Sequence, residues 1–147
     1  MLGDKPIFIQ EVKKIELPKN RINLPKNIEI EPNEQLVFVN EDDYGFSISD
    51  YNKFLLILKG LESNKNEALK SGNINKYIKL KNSLDYLCCN IYGTVLVSSD
   101  LRIVIPPIII DEYSLEDEVY LQGSYDRLNI FKNKEKFKQY KKSKKRS

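Results

Sequence analysis

Histidine is absent from this sequence, and cysteine occurs only twice, as the neighbours Cys88 and Cys89. Adjacent cysteines rarely bridge, and without histidine a metal site lacks most of its usual ligands, so no cofactor or metal is expected. The two cysteines read as small residues on a half-buried helix. The six glycines form no glycine-rich phosphate loop, and no nucleophile–base pairing is visible along the chain. An enzyme is therefore not expected. The acidic pairs Asp42/Asp43 and Asp111/Glu112 fall at loop positions and read as solvated turns. No run of about 18 or more apolar residues occurs, which predicts no transmembrane helix. The start, Met1-Leu2-Gly3-Asp4-Lys5-Pro6, lacks the basic-then-apolar layout of a signal peptide. These features predict a cytoplasmic protein with no membrane partner.

What is present is enough for one domain: 147 residues, of which 41% are hydrophobic. The formal net charge is +3, but residues 132–147 hold nine Lys/Arg and one Glu. The body before them is mildly acidic. Such a tail reads either as an anion-seeking arm or as a solvated, frayed helix end. As an arm it raises affinity for nucleic acid without reading sequence.

The most informative pattern is a near-duplicate. Arg21-Ile22-Asn23-Leu24-Pro25 returns 81 residues later as Arg102-Ile103-Val104-Ile105-Pro106. Each copy reads as a short strand with a basic residue at its start and a proline that stops the ladder. Similar elements follow in each half. The first continues through Leu36–Val39, Tyr44–Ile48 and Tyr51–Phe54, the second through Val119–Leu121, Tyr125–Ile130 and Lys134–Phe137. Phe46/Ile48 and Leu128/Ile130 are each two residues apart, so each pair faces one side of a strand.

Between the copies the pattern is helical. Ser49 is the expected N-cap of a helix over Tyr51–Leu61, which Gly60 and the polar stretch 62–66 weaken or end. Its nearly continuous Phe54-Leu55-Leu56-Ile57-Leu58 predicts burial on most sides, against another helix and the sheet or a neighbouring subunit. A second helix is expected from about Asn75 to Asn90, with the stripe Tyr77, Leu80, Leu84, Leu87 and Ile91. Gly93 marks the exit into the second copy, Pro25 and Pro106 each suit the first turn of a short helix, and a last helix starts near Asn133.

This layout resembles the MraZ family over roughly residues 10–140. The second half, Gly93-Thr94 through Arg102–Pro106 and Glu118–Ile130, resembles that family's second repeat, with Phe131 where the family commonly has Trp. Lys19-Asn20-Arg21-Ile22-Asn23-Leu24-Pro25 resembles the first repeat. The resemblance implies an α+β fold of two tandem AbrB-like β units, a swapped-hairpin type of β-barrel, with helices between and after the repeats. It implies repeat 1 at about 10–60, a helical connection at about 61–92, repeat 2 at about 93–140 and a basic tail at 141–147. It further implies a ring-shaped homo-oligomer in the nucleoid. That oligomer would bind direct repeats upstream of its own division and cell-wall operon as a transcriptional regulator.

The candidate DNA-binding residues are Lys13, Lys14, Lys19, Asn20, Arg21 and Arg102. Arginine suits this role because its guanidinium fork matches guanine edges and phosphate. The chain departs from the family at one point. An Asp-x-x-x-Arg motif in each repeat has its Asp orient the loop that presents the Arg, and here Leu17 and Ser98 stand in the Asp positions. The first loop remains basic, whereas the second carries Asp100, so the first is the better DNA-binding candidate and the second is largely structural. Two alternatives follow: a degenerate assembly or scaffold protein with only nonspecific DNA binding, or an AbrB-type antitoxin. The basic C-terminus argues against the latter.

Overall fold

The computed structural model describes residues 1–40 and 42–145; Glu41 and the last two residues of the basic tail, Arg146 and Ser147, lie outside the described residues. The chain is α+β. In order come β1 (Gln10–Lys14), β2 (Arg21–Asn23), β3 (Gln35–Asn40), β4 (Gly45–Asp50), α1 (Tyr51–Lys70) and α2 (Ile74–Cys89). The second half contains β5 (Ile91–Leu96), β6 (Arg102–Val104), α3 (Pro107–Glu112), β7 (Glu118–Gly123), β8 (Leu128–Phe131) and α4 (Lys134–Lys145). Six strands form an antiparallel sheet in the order β1-β7-β8-β4-β3-β5, while β2 and β6 form a separate two-stranded ribbon. The sheet is open, with β1 and β5 as its edges.

Exchanging β1–β4 for β5–β8 turns the strand order into its own reverse. Each half contributes a hairpin, β3–β4 or β7–β8, and the two hairpins meet where β4 pairs with β8. The first strand of each half crosses over: β1 pairs with β7 and β5 with β3. The two halves thus share one core.

Alternation along the strands sets the layers. Leu36 and Phe38 of β3 face the main core with Phe46, Ile48, Leu121 and Ile130, and Ile22, Ile103, Ile105 and Ile109 pack in beside them. The intervening Val37 and Val39 face the other way and meet Phe54 of α1. Phe137 of α4 covers Tyr120 and Phe131 in the same manner. Fully burying one such apolar side chain contributes about 1.5–3 kcal/mol.

The helices differ from the sequence expectation in three respects. Asp50, not Ser49, caps α1: its carboxylate accepts the Lys53 N–H at 3.0 Å. Ser49 lies one residue earlier in β4, opposite Val37, whereas Asp50 is the last residue of the strand and directly precedes the helix. Asn133 caps α4 equivalently, accepting from Lys136 N at 3.0 Å. Next, α1 runs through Gly60 to Lys70, because an interior glycine costs only about 1 kcal/mol against alanine. The turn comes at Gly72, whose φ of +76° is one a glycine adopts freely.

Finally, within the single chain α1 is not buried on most sides. It forms a hairpin with α2, and only Phe54 and Ala68 of α1 are fully buried. Leu56 and Ile57 remain exposed. The α2 stripe of Tyr77, Leu80, Leu84 and Leu87 is half-buried, while Ile91 belongs to β5. Cys88 and Cys89 lie on the exposed side of this half-buried helix. A short helix follows Pro106, but Pro25 is followed only by a turn.

Candidate nucleic-acid interface

The two Arg-led segments pair with each other. In the β2–β6 ribbon Ile22 lies opposite Ile103, Arg21 opposite Val104 and Asn23 opposite Arg102. Two further backbone bonds extend the ribbon symmetrically: Leu24 N–H donates to Leu101 C=O at 3.0 Å, and Ile105 N–H donates to Asn20 C=O at 2.8 Å. Pro25 and Pro106 then end the pairing at both ends, since neither has an N–H to offer.

The residue before each arginine is left-handed: Asn20 has φ +56° and Leu101 has φ +58°. Asparagine tolerates this region, whereas for leucine it costs roughly 1–2 kcal/mol. The same handedness in both loops aims each chain into its strand in the same way.

The loops themselves are closed differently. In the first, Glu16 N–H donates to Arg21 C=O at 2.7 Å and Arg21 N–H donates to Glu16 C=O at 3.1 Å. Leu17 and Lys19 between them are exposed, and the Leu17–Pro18 peptide is cis. In the second, the Ser98 hydroxyl accepts the Arg102 N–H at 2.9 Å and donates to Asp100 Oδ1 at 2.5 Å. Ser98 therefore supplies a side-chain acceptor that closes the second loop. Leu17 has no polar group to do so, and the backbone pair Glu16–Arg21 takes over.

The charges at the base of the loops cancel. Glu16 Oε2 lies 2.7 Å from Arg102 Nη1 and 3.9 Å from Arg21 Nη2. Asp100 Oδ2 lies 3.0 Å from Arg102 Nε. That last pairing is ionic without hydrogen-bond alignment, and the Arg21 Nε is buried without a hydrogen-bond partner. The Ser98 hydroxyl first, and then the arginine charges, hold the Asp100 carboxyl below its ordinary value. Arg102 is thus engaged by two carboxylates, whereas Arg21 has one distant one.

The other candidates are dispersed. Lys13 and Lys14 are neighbours in a strand and point to opposite faces of the sheet. Lys13 Nζ lies 3.7 Å from Glu11 Oε1, and Lys14 is exposed at the end of β1 opposite Glu118. The structure therefore brings together Asn20, Arg21 and Arg102, with Lys19 exposed on the same loop, and separates Lys13 from Lys14. Glu16 is a site residue that sequence reasoning misses. Its place directly before the loop is visible, but its partner Arg102 is 86 residues away.

Among the described residues no group of three or more His, Cys, Asp or Glu side chains is arranged to hold a metal ion. No described helix is long and apolar enough to cross a membrane. No protein-family model matches the chain, and no curated protein matches it.

Proposed function

We propose that this chain is a sequence-specific DNA-binding transcriptional regulator of the MraZ type. In this reading the crossed-over halves are swapped-hairpin units of the AbrB kind. A ring of subunits, located in the nucleoid, binds direct repeats upstream of its own division and cell-wall operon. One observation carries the reading: the two Arg-led strands pair antiparallel, each preceded by a left-handed residue and ended by proline. This sets the first loop, with Lys19, Asn20 and Arg21, beside the Arg102 loop at one place in the fold, and a guanidinium fork there suits groove reading. Repetition around a ring supplies affinity that one small interface lacks. The exposed Ile57 and Tyr86, which line one groove on the α1–α2 hairpin with Phe54 and Leu87, support assembly, since apolar surface left uncovered marks interaction sites.

A gel shift with the duplex upstream of the protein's own gene, against a scrambled duplex, tests the reading. Salt-sensitive binding that prefers the native duplex supports it. Equal binding to both, by intact oligomers, supports the second reading, an assembly without sequence-specific binding. The specific observation favouring that alternative is the engagement of Arg102 by Glu16 and Asp100.

A further inference from the structure

We infer that Arg102 is a positioning residue rather than a DNA-contacting one: through Glu16 it braces the first loop, which presents Lys19, Asn20 and Arg21. This rests on the DNA-binding reading above and assigns its parts.

Glu16 belongs to both halves of the ribbon. Its backbone closes the first loop by two hydrogen bonds to Arg21, at 2.7 and 3.1 Å. Its side chain leaves that loop and reaches the other half of the molecule, 2.7 Å from Arg102 Nη1. One residue therefore joins the base of the first loop to the start of β6. Arg102 is in turn fixed from behind. Ser98 accepts its N–H, and Asp100 faces its Nε at 3.0 Å. With Nη1 bonded to one carboxylate and Nε beside another, each two-pronged face of the fork has one nitrogen engaged, so neither face is whole for a phosphate or a guanine edge. A two-pronged contact of that guanidinium with DNA would displace one of these ion pairs. Arg21 is held less tightly: its ion pair with Glu16 is 3.9 Å long, and Asp100 acts on it only through its charge.

The brace also accounts for a chain that lacks both motif carboxylates. Leu17 offers no acceptor to orient the first loop; the backbone of Glu16 closes that loop instead, and its carboxylate anchors the closure across the ribbon. The strain of Leu101 at φ +58° belongs to the same arrangement, because it brings the second loop into the turn from which Arg102 meets Glu16.

The test uses the full chain and three variants, Glu16→Gln, Arg102→Gln and Arg102→Lys, with folding checked by thermal melting. Binding to the native upstream duplex and to a scrambled duplex is measured over a range of salt. Each variant is expected to lose roughly tenfold in preference for the native duplex, the scale of coupling between adjacent residues. The double variant Glu16→Gln/Arg102→Gln is expected to be no worse than the poorer single one. The salt slope is expected to stay within about 0.5 of the parent, because the same phosphates stay neutralised. Hydrogen exchange read without DNA should show faster exchange of the Glu16 and Arg21 amides in both glutamine variants. A slope reduced by about 0.9 in Arg102→Gln, with Arg102→Lys binding normally, would show Arg102 on a phosphate and overturn the brace. So would tighter specific binding by Glu16→Gln, or unchanged amide exchange. Failure of the DNA-binding reading itself looks different: the parent chain shows no preference, while the exchange result still decides the brace.

Discussion

Ile22 and Ile103 lie directly opposite each other in the β2–β6 ribbon, each almost fully buried, at the point where the two halves of the chain cross. On the large sheet the matching pair is Ser47 opposite Asn129. The positions that carry the arginines are thus held by the core itself, so changes in the core should propagate to the loops.

Ile103→Ala is expected to destabilise the chain by about 2–5 kcal/mol, the range for truncating a buried isoleucine. Ile22→Ala should cost a similar amount. Because the two side chains are directly opposite, the double variant should differ from the sum of the singles. Urea unfolding of the four proteins measures this, and additive losses would show that the two do not share a packing site.

Asp50→Ala should cost about 0.5–2 kcal/mol, by removing the α1 cap to Lys53, whereas Ser49→Ala should cost less. Thermal unfolding of both variants separates the two positions. A larger effect at Ser49 would move the cap back to the position the sequence suggests.

Much of this fold is legible in the sequence, and the failures have identifiable causes. Phe46/Ile48 and Leu128/Ile130 show their shared face by spacing alone, and both pairs lie in the core. The α2 stripe predicts a helix of nearly the right extent because its period is long and regular. The choice between Ser49 and Asp50 is not legible, since both residues cap well and only the end of the β4 ladder decides. The extent of α1 is hidden because Gly60 is a weak stop against a packed partner helix. The crossing of β1 to β7 and of β5 to β3 leaves no local mark, since pairing between halves depends on the core that forms. For the same reason Glu16 gives no sign of its link to Arg102.

Stability should be nearly independent of pH between about 5 and 7.5, because no histidine is present and other ordinary side chains titrate outside that range. On the acid side, Asp4 is held below 3.8 by its hydrogen bonds with Lys53 and the N-terminus, and Asp100 by Ser98. A lowered carboxyl stabilises the fold above its unfolded value, and this is lost as pH falls through the folded value. On the alkaline side, the Met1 amino group is raised above 8.0, chiefly by its hydrogen bond to Asp4. Its contribution is present below 8.0 and is lost as pH rises through the folded value. Melting temperatures from pH 3 to 9 check this. A step between pH 5.5 and 7.5 would contradict it.

Truncation after Tyr140 keeps Phe137 and Tyr140, which pack on Phe131, and removes the distal lysines. The expected result is weaker binding to every duplex and a shallower salt dependence, by up to about 0.9 for each phosphate no longer neutralised. The preference for the native over the scrambled duplex should survive, because such an arm does not read sequence. Titrations at several salt concentrations separate the two effects.

The most direct test of the first loop as the DNA-reading element is Arg21→Ala in the full chain, bound to the native upstream duplex and to a scrambled one. The expected cost is about 1–3 kcal/mol on the native duplex, with little change on the scrambled one. Unchanged discrimination between the two duplexes would contradict it.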